Sequence, residues 1–197
     1  MQLLLGGIYY LVSGDFIQTI PKSHYTDLGI YNERLYATDW TSPAIHVYDC
    51  HTWQQLNSIR TPCSDMKHFN DIHHHQLSVD KDAINFSCAN FNMFYILDIQ
   101  GNLKQQHGPA ILLAASSSPI SEGEQSNLNG PIICQEDKNG AVIVGDCNYN
   151  RVLVLSEEGK WIHVRLNEKA DGPCGAVCWR GRLYVSTWGD NKLTMFQ

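Results

Sequence analysis

Four pairs of short apolar runs recur along the 197-residue chain, and they leave few folds open. LYATD at 35–39 is followed by IHVYD at 45–49, and INFSC at 84–88 by FYILD at 94–98. VIVGD at 142–146 is followed by VLVLS at 152–156, and LYVST at 183–187 by LTMFQ at 193–197. In every pair the second run ends ten positions after the first. Asp39, Cys88, Asp146 and Thr187 therefore share one column, spaced by 49, 58 and 41 residues. The wide middle spacing holds AASSSPISEGEQ at 114–125, small and polar enough for a surface loop. Runs of β-branched and aromatic residues broken by Gly, Asn, Asp and Ser are strand signals, and no window sustains a capped helical pattern.

Each hairpin is flanked by further strand candidates. HQLSV at 75–79, PIICQ at 131–135 and PCGAVC at 173–178 lie ahead of one; LNSIR at 56–60, LKQQ at 103–106 and WIHVR at 161–165 follow one. About four strands per unit of this length is the pattern of a propeller blade. The paired runs are apolar at successive positions, as in Val152-Leu153-Val154-Leu155, and continuous apolar strands are buried on both faces. Sheets sandwiched between neighbouring sheets meet that condition. The reading is all-β: one propeller domain over residues 1–197, of four-stranded antiparallel blades, about four in number. IYYLV at 8–12 and FIQTI at 16–20 resemble the last two strands of a blade, and 16–20 is expected to close the ring beside 193–197.

The segment 128–159, LNGPIICQEDKNGAVIVGDCNYNRVLVLSEEG, resembles an NHL repeat. Pro131 precedes the first strand, Asp137 and Gly140 make the acidic-Gly turn, and Asp146 ends the second strand. Asn148 to Arg151 supply the Asn-x-Arg, Val152 to Leu155 the next strand, and Gly159 the final turn. Other units are divergent: Asn92 and Gly101 are kept where Cys88 replaces the Asp, and Pro173, Gly181 and Asn191 precede Lys192 where Arg would stand. The resemblance is to the C-terminal NHL propeller of tripartite-motif proteins, usually six-bladed, so both a compact four-blade relative and a piece of a six-bladed ring stay open. It implies a non-catalytic adaptor that selects protein or RNA partners. The chain carries no RING or B-box zinc pattern, so ligase activity is not assigned to it.

Charge narrows the partner. The formal charge is −6, with 7 basic and 15 acidic residues before position 151 and 7 basic and 5 acidic after it. An acidic whole disfavours nucleic acid, although Arg151, Lys160, Arg165, Arg180, Arg182 and Lys192 form a basic set for RNA. No stretch approaches the ~18 apolar residues of a spanning helix, and no membrane partner is expected. Seven cysteines at irregular spacing read as reduced, buried thiols of a cytoplasmic protein.

Chemistry-bearing clusters are sparse. His68, His73, His74 and His75 put two imidazoles on one strand face without a third convergent ligand. Cys174 and Cys178 would stand roughly 13 Å apart in an extended strand, too far to chelate one ion. No nucleophile elbow, phosphate loop, dinucleotide fingerprint or zinc-protease motif occurs. No catalytic residue, metal ligand or cofactor is expected. The alternative is a propeller hydrolase or lyase with a metal bound at the hub by Asp39, Asp146 and Glu136. The loops between paired strands each carry an aromatic, Trp40, Phe91, Tyr149 and Trp188. Grouped on one rim with Arg151, these are the expected partner-binding residues, with packing between blades as the competing role.

Overall fold

The computed structural model describes residues 2–4, 7–9, 16–19, 25–39, 42, 44–65, 75–80, 83–108, 128–136, 141–156, 160–164 and 171–196. Eighteen strands among them form five antiparallel sheets in chain order. The first holds β1 (Gln2–Leu4), β2 (Gly7–Tyr9) and β3 (Phe16–Thr19). The second holds β4 (Tyr25–Tyr31), β5 (Arg34–Asp39), β6 (Ala44–Asp49) and β7 (Gln55–Arg60). The third holds β8 (His75–Asp80), β9 (Ala83–Cys88), β10 (Met93–Asp98) and β11 (Leu103–His107). The fourth holds β12 (Pro131–Glu136), β13 (Val142–Asp146), β14 (Arg151–Leu155) and β15 (Trp161–Val164). The fifth holds β16 (Pro173–Trp179), β17 (Arg182–Thr187) and β18 (Lys192–Phe196). The protein is an all-β propeller built of such blades, and the column Asp39, Cys88, Asp146 and Thr187 closes the second strand of four of them.

One element differs from the sequence expectation. Phe16–Thr19 does not lie beside β18; it pairs with β2, Gly7 opposite Thr19, inside a sheet of its own. Three strands close in sequence complete their hydrogen bonds together at less entropic cost than a strand carried across the whole chain. The fifth sheet accordingly has three strands among the described residues.

The cores lie between sheets. Tyr36, Ile45, Val47 and Ile59 of the second sheet meet Leu77, Ile84, Phe86, Tyr95 and Leu97 of the third. Phe94 of the third meets Leu128, which precedes the fourth, and Val142, Val144, Leu153 and Leu155 of the fourth. Ile143 and Val152 of the fourth meet Val185 of the fifth. Neighbours along one strand thus enter opposite cores, Phe94 one and Tyr95 the other, as the period of two dictates. This is why the strands read as unbroken apolar runs. Each such side chain contributes about 1.5–3 kcal/mol by leaving water. At the edge of the core between the third and fourth sheets Trp161 Nε1 donates to His107 Nδ1 at 3.2 Å, with the rings edge-on at 5.1 Å. Desolvation there pushes the His107 imidazole down to about 4.

The cysteines depart from expectation. Of six described, only Cys63 and Cys88 are buried; Cys50, Cys147 and Cys174 are half-buried and Cys178 is exposed. The buried two join the core between the second and third sheets, whereas the others sit in loops or on the last sheet.

Candidate functional site

The loops joining second to third strands all leave the same end of the blades. Two have nearly one conformation: single 3-10 turns at Ala89–Phe91 and Cys147–Tyr149, ended by Asn92 at φ 57° and Asn150 at φ 53°. Asn191 repeats that left-handed backbone at φ 54° in the fifth sheet. Asn tolerates this region where most side chains resist it. Here the residue does a second job. Asn92 Oδ1 accepts the Gly130 N–H of the next blade at 2.7 Å, and Asn150 Oδ1 accepts the Gly172 N–H of the blade after that, also at 2.7 Å. Both glycines have positive φ and precede the proline that opens the blade. A Cβ on Gly172 would run into the Trp188 indole, so only glycine fits beneath that ring.

The second-to-third junction uses another device, because Pro43 stands where the Asn would be. Asp27 of β4 accepts the Leu77 N–H of β8 at 2.8 Å and the Leu28 N–H at 2.9 Å. Burial pushes its carboxyl up, and these two N–H groups partly offset the shift. Asp27 lines a cavity of about 640 Å³ between the first strands of the second, third and fifth sheets, with Gly29, Ser78, Asp80 and Gly175.

Between the fourth and fifth sheets the loops form one ordered rim. Asp146 is wholly buried; one oxygen accepts the Asn129 N–H at 2.7 Å and the other Arg151 Nε at 2.6 Å. The two residues are paired opposite each other in the ladder, so the ion pair spans the mouth of the hairpin. The Arg151 guanidinium lies 5.0 Å over the Tyr149 ring. Trp188 donates through Nε1 to Cys147 Sγ at 3.3 Å and through its backbone N–H to Gly172 O at 3.1 Å. Thr187 donates to Asp190, which also meets Lys192 Nζ at 3.0 Å; these partners hold the Asp190 carboxyl below the usual range.

The expected rim residues divide. Tyr149 and Trp188 are exposed, at 48% and 66%, on adjoining loops, and Arg151 backs the first of them. Phe91 is half-buried against the core between the second and third sheets, which is the packing role. Trp40 lies outside the described residues. The basic set divides as well. Arg151 and Lys192 stand at this rim, whereas Lys160, Arg180 and Arg182 stand at the opposite end, where first strands turn into second and third into fourth. Arg180 lies there over Trp179 at 4.4 Å, and Arg165 is outside the described residues.

Of the hub candidates, Asp39 approaches His46 at 3.8 Å, Asp146 is engaged as above, and the Glu136 side chain is outside the described set. His68, His73 and His74 are outside it too, as is the His75 side chain. Among the described residues no three His, Cys, Asp or Glu side chains converge as a metal would require. Sequence reasoning missed the Asn-to-Gly bonds between blades; the signal was present as Asn four residues after three of the four column positions, at 92, 150 and 191.

No family profile and no curated protein matches this sequence. Solved structures do. A streptogramin B lyase matches at 18% identity and TM-score 0.60 over 91% of this chain and 56% of its own. A protein of unknown function from Bacteroides thetaiotaomicron matches at 13% identity and TM-score 0.69 over 95% of this chain and 52% of its own. The computationally designed Ika4 matches at 13% identity and TM-score 0.57 over 89% of this chain and 91% of its own. The chain thus spans about half the length of the first two and shares their fold.

Proposed function

We propose that the protein is a recognition module that binds a protein or peptide through the rim of the fourth and fifth blades, in the manner of the tripartite-motif NHL adaptors its third repeat resembles. The observation that carries this reading is the pair of exposed aromatics, Tyr149 and Trp188, held on adjoining loops by bonds to Cys147, Gly172 and Arg151. Aromatic side chains fixed in advance give large contact area at little cost in lost rotamers, which is what binding hot spots require. The division of the basic residues between two ends favours a protein over RNA, since a phosphate backbone is met by charge grouped along one path.

The test is capture from cell extract by the wild-type chain, by Tyr149→Ala/Trp188→Ala, and by Arg180→Glu/Arg182→Glu at the opposite end. The expected outcome is partners lost with the aromatic variant and kept with the charge variant. Equal capture by all three refutes the rim. Salt-sensitive oligonucleotide binding lost in the charge variant would replace the peptide reading with an RNA one.

A further inference from the structure

The second sheet carries a polar group that the sequence spreads over three strands. β5 ends in Asp39, β6 carries His46 and β7 carries Ser58. The register sets His46 opposite Ala37 on one side and opposite Ser58 on the other. The period of two then turns Asp39, His46 and Ser58 to the face of Leu35, Ala37 and Tyr48, away from the core shared with the third sheet. On that face Ser58 Oγ lies 2.9 Å from His46 Nδ1, and His46 Nε2 lies 3.8 Å from Asp39 Oδ2. Gln55 Nε2 donates to Ser58 Oγ at 2.7 Å and to Nδ1 at 3.2 Å. An amide nitrogen can only donate, so Nδ1 carries the lone pair and Nε2 the proton that faces the carboxylate. The Tyr25 ring stands edge-on to the imidazole at 6.3 Å, its hydroxyl tied to that of Tyr48 at 2.6 Å. Exposure falls in the same order: Ser58 is exposed, the His46 side chain is 18% exposed and that of Asp39 8%.

We propose that these residues form a site for hydrolysis of carboxylic esters, with Ser58 as nucleophile, His46 as base and Asp39 as a positioning residue. A hydroxyl within hydrogen-bond reach of an imidazole that a carboxylate orients is the arrangement that activates a serine. Contacts as long as that between His46 and Asp39 are common before substrate binds and tighten when it does. Ser58 stands open on the outermost strand of its sheet, so the acyl group arrives from solvent. An ester suits such a site better than an amide, because an alkoxide leaves more readily than an amine. Ser58 Oγ attacks the carbonyl carbon while its proton passes to Nδ1. The bond from that carbon to the alkoxy oxygen then breaks, and the imidazolium gives the proton to the departing alcohol. Water, deprotonated by the same nitrogen, attacks the acyl group; its bond to Oγ breaks, the carboxylic acid leaves and Ser58 regains its proton. Gln55 Nε2, already beside Oγ, is the donor at hand for the oxyanion of both steps.

Two assays on the whole chain test this: turnover of p-nitrophenyl acetate, and labelling by a fluorophosphonate, which phosphonylates an activated serine, with the adduct located by peptide mass spectrometry. The wild type should turn over the ester and carry the adduct on Ser58. Ser58→Ala, at an exposed position where folding is spared, should lose the adduct and about 100-fold in kcat/KM. His46→Ala should lose about as much and regain part of it with added imidazole, which a merely structural loss would not. Asp39→Asn should lower kcat with KM unchanged, as expected of a group felt only in the transition state. Tyr149→Ala/Trp188→Ala should hydrolyse like wild type, which separates this site from the partner-binding rim. A wild type without an adduct on Ser58 overturns the proposal. So does turnover unchanged in Ser58→Ala, which would assign the reaction to another nucleophile such as the exposed Cys178 thiol, and so does a His46→Ala variant indifferent to imidazole.

Discussion

Asn150 combines two loads that substitution can separate. It holds a left-handed backbone at φ 53°, and its side-chain oxygen accepts the buried Gly172 N–H at 2.7 Å. Asn150→Asp keeps the acceptor and tolerates the backbone, so stability should stay within about 0.5 kcal/mol of wild type. Asn150→Gly keeps the backbone but leaves the Gly172 N–H without its partner; the cost is about 1–2 kcal/mol. Asn150→Ala loses the bond and adds the strain of a Cβ in the left-handed region, about 1 kcal/mol more. The predicted order is therefore wild type and Asp, then Gly, then Ala. Urea unfolding followed by tryptophan fluorescence reads it as a falling midpoint at constant slope. A Gly variant as stable as wild type would show that the bond between blades contributes nothing. An Ala variant as stable as Gly would show that the backbone is not held.

Two further outcomes follow from other parts of the molecule. Arg151→Met leaves the wholly buried Asp146 carboxylate without its charge partner, and should cost about 2–3 kcal/mol in the same urea assay, the partial exposure of the arginine tempering a larger figure. His107, held near 4 by burial against an unfolded value near 6.5, favours the unfolded chain when protonated. The stability it permits is whole above pH 6.5 and is lost as pH falls toward 4, by about 3 kcal/mol; in His107→Gln that part of the pH slope should vanish from a series of urea midpoints.

The fold was legible because both faces of each middle strand are buried, which turns the hairpins into unmistakable runs such as Val142-Ile143-Val144. The strand Tyr25–Tyr31 was not, since YTDLGIY mixes polar and apolar positions and carries Gly29 mid-strand. That glycine sits where β4 approaches β8 so closely that a Cβ would come 2.9 Å from Val79 Cγ2, a demand of the hub that local pattern does not express. The rim was partly legible. Its aromatics follow from loop position alone, yet whether Phe91 packs inward while Trp188 stays out depends on what neighbouring blades offer. The placement of the basic residues was not legible for a related reason: proximity in sequence between Lys160 and Arg180 says nothing about which end of a strand each occupies. The bonds from Asn92 and Asn150 cross 38 and 22 residues, beyond any local motif.

Because each sheet is completed by a contiguous stretch, and the third, fourth and fifth each rest on the one before, these blades can be laid down in the order of their synthesis. A nascent chain emerging from the ribosome needs only the blade just finished as a template for the next, and few contacts must wait for distant sequence. Translation speed through the polar stretch at 114–125 then sets how long the second and third blades stand alone before the fourth shields Phe94. Slow codons there would lengthen that exposure and favour misassembly.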